Sequence, residues 1–153
     1  MKDNIIIYNN KSGLDDLIIF FNSCTFNPAL LNYINNINQY CNKLYTLSQR
    51  YEVWDISNLV ALIAVYENKF PNAYIPIVGV IDKFRGKGLG DLLLNYTLKQ
   101  IEHKGFTKVS LEVYSNNIIA INLYRKYGFI ISKENSTKIH MVKTFINWYY
   151  IKI

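Results

Sequence analysis

The sequence predicts an α/β protein, with one mixed, twisted β-sheet of about six or seven strands flanked by about four helices. Runs of apolar β-forming residues alternate with segments of helical periodicity along the 153 residues. Residues 73–104 read as a strand, a glycine-rich loop and a helix, and a strand at 108–113 completes a parallel βαβ unit. Two adjacent runs at 51–56 and 59–66 predict an antiparallel hairpin instead, so the sheet should be mixed.

The first fifty residues predict one strand and two helices. Residues 5–8 form a short apolar run typical of a strand. Ser12 is the expected N-cap of a helix that ends at residue 22. Residues 27–28, Asn-Pro, are expected to start a second helix, since proline suits its first position. The second helix carries apolar residues at helical spacing: Leu31, Ile34, Ile37, Tyr40, Cys41 and Leu44.

The middle of the chain predicts three strands. Ser57 and Asn58 separate the first two and suit a two-residue hairpin turn. Residues 68–72 are expected to be a loop, and the third strand covers residues 73–81. Pro76 within that strand cannot donate a ladder hydrogen bond, so it marks an edge, a bulge or a splay of the sheet.

The last third predicts two helices and three strands. Gly128 suits the C′ position after the second helix. Residues 145–153 are aromatic and apolar, and either extend the last strand or pack on a partner chain. The predicted elements are a helix at 91–104, a strand at 108–113, a helix at 117–127 and strands at 129–134 and 138–144.

The composition predicts a single domain over residues 1–153, because 50% of the residues are hydrophobic and can form a core. No apolar run reaches the roughly twenty residues of a membrane span, and the start lacks a signal-peptide pattern, so we expect a cytoplasmic protein with no membrane partner. The net charge of +6 is scattered and no nucleic-acid-binding motif accompanies it, which argues against a nucleic-acid partner. Cys24 and Cys41 lack a CxxC spacing and the two histidines have no nearby cysteine, so we expect no metal site.

The stretch VIDKFRGKGLGDLLL has the features of an anion-binding site. Gly86, Gly88 and Gly90 precede a helix, whose first N–H groups lack intrahelical acceptors and lie at the positive end of the macrodipole. Arg85 and Lys87 add positive charge. The glycine spacing fits neither the Walker loop nor the dinucleotide fingerprint, but it matches R-x-x-G-x-G.

A second pattern, N-x-x-A-x-x-L-Y-x-x-x-G-F, begins at Asn117 and ends at Phe129. The two patterns closely resemble, in order and spacing, the two signatures of the GCN5-related N-acetyltransferases, the GNAT family. The resemblance covers residues 50–130 well and the first fifty weakly. It implies a single GNAT-like domain whose sheet is splayed at the strand before the glycine loop, where acetyl-CoA enters.

The resemblance also implies the residues that bind acetyl-CoA. Backbone groups of Val78 and Val80 would hold the pantetheine arm, and the amides of residues 85–91 would wrap the pyrophosphate. Asn117 would bind the pantetheine arm or order the strand end, and this is compatible with a role as N-cap. The implied cofactor-binding residues are Val78, Val80, Arg85, Gly86, Lys87, Gly88, Leu89, Gly90, Asp91, Asn117 and Tyr124. The candidates for the 3′-phosphate are Lys83, Lys87 and Lys126.

Tyr124 is the implied catalytic residue. A phenol with an ordinary pKa of about 10 is matched to a thiol and can protonate it as it leaves; the alternative is a tyrosine that only packs. The general base stays open between Glu67, Asp55 and a water relay, because the strand at 73–81 contains no carboxylate. Asp82 stands where the family commonly has proline, three residues before Arg85.

The resemblance therefore implies an acetyl-CoA-dependent N-acetyltransferase that would move an acetyl group directly to a primary amine of a small molecule, such as an amino sugar or an amino acid. The rate would come chiefly from holding amine and thioester together. The alternative is a non-catalytic acyl-CoA-binding module or sensor with the same fold. The sequence leaves open the acceptor, the strict preference for acetyl, and the choice between monomer and homodimer.

Overall fold

The computed structural model describes residues 4–26 and 36–146. The strands are β1 (Ile5–Asn9), β2 (Gln49–Asp55), β3 (Asn58–Lys69), β4 (Asn72–Val80), β5 (Lys108–Tyr114), β6 (Ile130–Glu134) and β7 (Lys138–Thr144). The helices are α1 (Leu14–Asn22), α2 (Ile37–Leu47), α3 (Leu89–His103) and α4 (Ile118–Lys126), and a 3₁₀ helix spans Asp82–Phe84. No helix within these described ranges is long and apolar enough to cross a membrane.

The strands form a seven-stranded sheet in the order β1-β2-β3-β4-β5-β7-β6. β4 and β5 are parallel, and β1–β2, β2–β3, β5–β7 and β6–β7 are antiparallel. The helix α3 connects the two parallel strands, as a βαβ unit requires. The predicted fold class, a mixed sheet with about four flanking helices, is therefore confirmed.

The hairpin between β2 and β3 differs from the prediction by one residue. Asp55 pairs with Asn58, so the turn residues are Ile56 and Ser57 rather than Ser57 and Asn58. The register shifts between Val53, which faces Ala61, and Trp54, which faces Leu59. This bulge leaves one extra residue on β3 and so moves the turn toward the N-terminus.

The start of α1 also differs from the prediction. The N-cap is Gly13, whose N–H donates to Asp16 Oδ2 at 2.8 Å, and the predicted N-cap, Ser12, lies just before it. The Ser12 hydroxyl donates to the buried carboxylate of Glu52 instead. A long-range partner therefore takes the hydroxyl that the local pattern assigned to the helix.

The second predicted helix does not run unbroken through residue 36, because Asn36 is extended and α2 begins at Ile37. Asn36 caps α2, and its side chain accepts the Gln39 N–H at 3.1 Å. Cys41 and Leu44 are buried, as the helical spacing predicts. The predicted start at residues 27–28, with Leu31 and Ile34, lies outside the described residues.

The chain forms two compact units, and the first consists of residues 1–65 and 77–94. Its core includes residues 59–65 of β3, which are buried on both faces of the strand. The helix α1 contributes Leu17, Phe20 and Phe21 to this core. The prediction of a single domain over residues 1–153 stays a prediction.

A buried ionic cluster ties β2 to the two helices of the first unit. Arg50 and Glu52 are both buried, with Nε and Oε1 3.4 Å apart. Glu52 also accepts the Ser12 N–H at 3.0 Å and the Trp54 Nε1–H at 2.8 Å. Arg50 donates to the carbonyl oxygens of Ser12 and Tyr45 at 3.1 and 3.0 Å. The cluster thus fixes the residues before α1 and the C-terminal part of α2 against the strand.

The second unit consists of residues 66–76 and 95–153. In it, β4 pairs with β5 from Asn72 opposite Lys108 to Ile75 opposite Leu111. The next residue of β4, Pro76, has no N–H to continue the ladder. This position agrees with the splay predicted at the strand before the glycine loop.

Candidate functional site

The glycine loop lies in the first unit, between the 3₁₀ helix and α3. Gly86 and Gly88 have φ angles of 72° and 79°, in the left-handed region that favours glycine. A Cβ added at either residue would meet no atom within 4 Å. The loop therefore turns its backbone toward open space, where a ligand can approach.

The start of α3 offers backbone donors beside this loop. The first helical hydrogen bond joins the Leu92 N–H to the Gly88 carbonyl oxygen at 3.0 Å. The N–H groups of Leu89 and Gly90 precede that bond, and the helix offers them no acceptor. The positive end of the helix dipole adds to them, so the loop fits a diphosphate.

The other predicted cofactor-binding positions of the first unit surround the loop. Val78 and Val80 are half-buried and alternate along β4 with the buried Ile77 and Gly79. Leu89 is buried, so it can offer only its backbone to a ligand. The ammonium group of Lys87 lies 5.0 Å from the centroid of the Phe84 ring. The structure also places Gly90 and Asp91 in the first turn of α3 and Lys83 in the 3₁₀ helix.

Arg85, a predicted cofactor-binding residue, is bonded within the protein. Its Nη2 donates to the Thr25 carbonyl oxygen at 2.6 Å, and its Nε donates to the Val80 carbonyl oxygen at 3.2 Å. Its backbone N–H donates to the Asp82 carbonyl oxygen at 3.1 Å, within the 3₁₀ helix. The backbone amides that follow this helix therefore begin at Gly86.

Asp82 starts the 3₁₀ helix at the position where the family commonly has proline. Its carboxylate accepts the Thr25 N–H at 2.9 Å and the Thr25 hydroxyl at 2.5 Å. The hydrogen bond from the Thr25 side chain is the main reason why the pKa of Asp82 lies below its usual value; the Thr25 N–H and Arg85 act in the same direction. We refer to Thr25, Asp82 and Arg85 as the loop clamp.

Cys24 lies next to the loop clamp. Burial raises the pKa of its thiol to about 12, and nearby Arg85 only partly offsets this effect. Burial likewise raises the pKa of the Cys41 thiol to about 11. Both residues are therefore thiols at neutral pH.

This protonation state predicts slow alkylation. At pH 8 we expect iodoacetamide to label Cys24 and Cys41 at least about a hundredfold more slowly in the folded protein than in urea, because only the thiolate reacts. Mass spectrometry of the labelled peptides at successive times measures both rates. Labelling within about tenfold of the unfolded rate would contradict the raised pKa values.

Tyr124 lies in the second unit, and the end of α4 holds it in place. The Phe129 N–H donates to the Tyr124 carbonyl oxygen at 3.1 Å, and the Gly128 N–H donates to the Arg125 carbonyl oxygen at 3.0 Å. Gly128 has a φ of 89°. These features form a Schellman motif, whose usual apolar contact is the Tyr124–Phe129 ring pair at 5.7 Å. The predicted C′ role of Gly128 is thus confirmed. The spacing Y-x-x-x-G-F places Tyr124, Gly128 and Phe129 where they form this motif.

The Tyr124 side chain is protonated throughout the ordinary pH range. The residue is only 7% exposed, and this burial raises the pKa of its phenol well above the ordinary value. A neutral phenol has a proton to donate. The raised pKa also makes Tyr124 a weaker acid than a phenol of ordinary pKa, so its role as the general acid stays a prediction.

Asn117 is the N-cap of α4, because its side chain accepts the Ala120 N–H at 3.2 Å. Its proposed contact with pantetheine stays a prediction. Among the candidate bases, Glu67 accepts two hydrogen bonds from Lys104, at 2.9 and 3.1 Å, and Asp55 lies at the β2–β3 hairpin. Across residues 4–26 and 36–146, no three His, Cys, Asp or Glu side chains form a group that could hold a metal.

The model of the acetyltransferase (GNAT) family matches residues 16–129 of the chain. The chain belongs to the GNAT acetyltransferase family. The family resemblance predicted from the two signatures is therefore confirmed. The match also includes most of the N-terminal region, where the signatures gave the weakest indication.

Relatives of known sequence support this membership of the GNAT family. A mycothiol acetyltransferase from Corynebacterium efficiens is 32% identical over 83 residues, which are 54% of this chain and 28% of that protein. An uncharacterized N-acetyltransferase, YdgE, from Bacillus subtilis is 33% identical over 66 residues, 43% of this chain and 42% of that protein. The chain thus spans less than half the length of each of these relatives.

Solved GNAT structures share the fold. The ribosomal-protein-S18-alanine N-acetyltransferase from Escherichia coli superposes with a TM-score of 0.77 at 16% identity, over 94% of this chain and 97% of that one. The PaiA N-acetyltransferase from Thermoplasma acidophilum, in complex with coenzyme A, gives a TM-score of 0.75 at 17% identity, over 92% of this chain and 99% of that one. At such identities the likeness shows the fold alone.

Thr25, which contacts both Asp82 and Arg85, was not predicted from the sequence. One signal was present, because Asp82 departs from the usual proline at the entry to the glycine loop. A carboxylate there needs a hydrogen-bond donor, but no local pattern indicates that Thr25 supplies it.

Proposed function

We propose that this GNAT family member is an acetyl-CoA-dependent N-acetyltransferase that transfers an acetyl group directly to a primary amine of a small molecule. The observation that carries the proposal is the glycine loop. Gly86 and Gly88 adopt positive φ angles and face open space at the start of α3. Backbone donors at such a helix start bind a diphosphate well.

In this proposal coenzyme A is held mainly by the main chain. The amides from Gly86 to Asp91 bind the pyrophosphate, and backbone groups of Val78 and Val80 bind the pantetheine arm. Arg85 contributes by shaping the loop, since its guanidinium is bonded to Thr25 and Val80. Lys83, Lys87 or Lys126 meets the 3′-phosphate, and Asn117 borders the pantetheine arm.

The proposed chemistry assigns the proton transfers to named groups. Acetyl-CoA supplies the thioester that the amine attacks. The Tyr124 hydroxyl donates its proton to the departing thiolate sulfur and regains one from solvent. The amine proton leaves to water or to a carboxylate. Glu67 is the weaker candidate for that base, because Lys104 already bonds both of its oxygens.

The acceptor is proposed to be a small molecule carrying a primary amine, such as an amino sugar or an amino acid. The Corynebacterium relatives support this class, since they are named for mycothiol rather than for a protein. A cytoplasmic location, where acetyl-CoA is available, is part of the proposal. A peptide N-terminus belongs in the same assay panel as a comparison.

A second candidate is a non-catalytic acyl-CoA-binding module. Two observations favour it: β4 carries no carboxylate, and Glu67 is held in an ion pair with Lys104. Calorimetry with acetyl-CoA and a thiol-release assay on a panel of amines separate the two candidates. Coenzyme A binding with thiol release supports the transferase, whereas binding without release on any amine supports the module.

The Gly88→Ala variant tests the loop directly. We expect its dissociation constant for coenzyme A to rise by about tenfold or more, because a left-handed alanine costs about 1–2 kcal/mol and its methyl group projects into the proposed diphosphate site. Isothermal titration calorimetry at fixed salt gives the constant.

Gly105→Ala is the matched control for this experiment. Gly105 has a φ of 89°, so the substitution imposes a similar backbone cost, but it lies just after α3 in the second unit. We expect a lower melting temperature with unchanged affinity for coenzyme A. Equal loss of affinity in the two variants would contradict the assignment of the loop.

A further inference from the structure

The glycine loop is fastened to the segment that follows α1, and this contact suggests a role for residues outside the two signatures. We propose that Thr25 and Asp82 are positioning residues for coenzyme A, which hold the entry of the glycine loop and couple its occupancy to residues 23–26. The inference rests on the proposed binding of coenzyme A at this loop.

The contacts of the loop clamp form a closed circuit. Thr25 donates its N–H and its hydroxyl to the two carboxylate oxygens of Asp82, at 2.9 and 2.5 Å. Its carbonyl oxygen accepts from Arg85 Nη2 at 2.6 Å, and Arg85 Nη2 lies 3.5 Å from Asp82 Oδ1. The Asp82 N–H donates to the Ser23 carbonyl oxygen at 3.4 Å, a bond that proline could not make. Thr25 thus bonds to Asp82 and to Arg85, the two ends of the turn that leads into the loop.

The same contacts set the direction in which the loop leaves β4. The 3₁₀ helix is closed by the Phe84 N–H, which donates to the Ile81 carbonyl oxygen at 2.9 Å, and by the equivalent bond from Arg85 to Asp82 at 3.1 Å. Arg85 Nε also donates to the carbonyl oxygen of Val80, the last residue of β4. The backbone that enters Gly86 is therefore held from the strand and from Thr25 at once.

The segment that the loop clamp holds also contacts β4. Phe26 directly follows Thr25, and its ring stacks on Phe21 with centroids 5.3 Å apart. Its Cε1 lies 3.6 Å from the place where a Cβ of Gly79 would be. Gly79 separates Val78 from Val80, the proposed pantetheine positions. A ligand that orders the loop should therefore order residues 23–26 as well, and the coupling is reciprocal.

Because the loop clamp is exposed, its effect on coenzyme A binding can be measured separately from its effect on stability. The Arg85 and Asp82 side chains are each 50% exposed, so their ion pair contributes little to folding. The hydrogen bonds from Thr25 to the carboxylate are charge-assisted and hold a defined geometry. Breaking them should thus change the melting temperature little and the affinity for coenzyme A more.

The test compares two substitutions of Thr25. Thr25→Val keeps the shape and loses the hydroxyl, while Thr25→Ser keeps the hydroxyl. By calorimetry we expect the valine variant to bind coenzyme A roughly threefold to tenfold more weakly, and the serine variant to stay within about twofold of wild type. Asp82→Asn should behave like the valine variant. Glu112→Gln, which removes an exposed ion pair with Lys138 in the second unit, is the matched control with unchanged affinity.

Hydrogen exchange supplies the readout that a purely structural role would not give. Coenzyme A should slow amide exchange at residues 23–26 in wild type and in Thr25→Ser, and do so much less in Thr25→Val. Protection confined to residues 86–91 in wild type, or wild-type affinity in Thr25→Val, overturns the inference while leaving the proposed function intact. A wild-type protein that binds no coenzyme A overturns both, and that result is recognised before any variant is compared.

Discussion

Tyr124→Phe should lower turnover by about 10²- to 10⁴-fold, the usual contribution of a general acid, and leave the dissociation constant for coenzyme A within about twofold of wild type. The substitution removes only the hydroxyl. The ring contact with Phe129 at 5.7 Å and the Schellman motif at the end of α4 do not depend on that oxygen. The loss should therefore appear in kcat, with little change in melting temperature.

The pH dependence follows from the buried phenol. Burial raises the pKa of Tyr124, so the group stays protonated in the folded protein beyond its ordinary value of about 10. The kcat profile should thus show no descending limb from Tyr124 up to about pH 10. Since the unfolded phenol ionises first, any contribution of this group to stability is complete below about pH 10 and is lost as the pH rises further.

Tyr127→Phe is the control for Tyr124→Phe. Tyr127 is the C-cap residue of the same helix, and its hydroxyl has no part in the proposed chemistry. Thiol release with the best amine of the panel gives kcat and KM for each variant. If Tyr124→Phe turns over as fast as Tyr127→Phe, Tyr124 is a packing residue and the general acid lies elsewhere.

Glu52→Ala should cost about 3–5 kcal/mol of unfolding free energy, the usual penalty for breaking a buried ion pair from one side. Glu52 is fully buried, and its removal leaves Arg50, only 4% exposed, without its carboxylate. It also removes the Glu52 acceptor of the Ser12 N–H, the Ser12 hydroxyl and the Trp54 indole N–H. For a chain of this size the melting temperature should fall on the order of 10 °C.

Urea unfolding followed by tryptophan fluorescence measures this loss, because Trp54 donates to Glu52 directly. Glu52→Gln keeps the volume and one acceptor oxygen, so it should lose less and still fold if the alanine variant does not. Glu112→Gln removes a carboxylate from an exposed pair with Lys138 and should cost less than about 0.5 kcal/mol. A Glu52→Gln variant as stable as Glu112→Gln would show that the buried negative charge of Glu52 contributes nothing to folding.

Both predictions concern strands and helices whose ends the sequence predicts to within a few residues of those observed. The strand β7 begins and ends where its alternation predicts, at Lys138 and Thr144. The helix α4 begins after its asparagine N-cap and ends before its glycine, because both caps act through neighbouring residues. Such elements are readable since the groups that start and stop them lie within one helical turn.

The errors arise where a distant residue or an irregular strand pairing competes with a local pattern. Ser12 has the composition of an N-cap, yet Glu52, forty residues later, takes its hydroxyl, and Gly13 becomes the cap. Ser57 and Asn58 suit a hairpin turn, yet a bulge opposite Trp54 moves the turn to Ile56 and Ser57. For Ser12 a tertiary contact outweighs a capping preference of about 1 kcal/mol, and for the hairpin an irregular strand register displaces the turn.

The sequence alone determined the family signatures, since R-x-x-G-x-G and Y-x-x-x-G-F encode local backbone geometry. Glycine is required at the positive φ angles of Gly86, Gly88 and Gly128, and the residues that depend on them are close in the chain. Only the tertiary structure decided that Thr25 holds the loop entry and that Glu52 is buried beside Arg50. Thr25 lies 57 residues from Asp82, and Glu52 lies 40 residues from Ser12. No local periodicity pairs side chains across such distances.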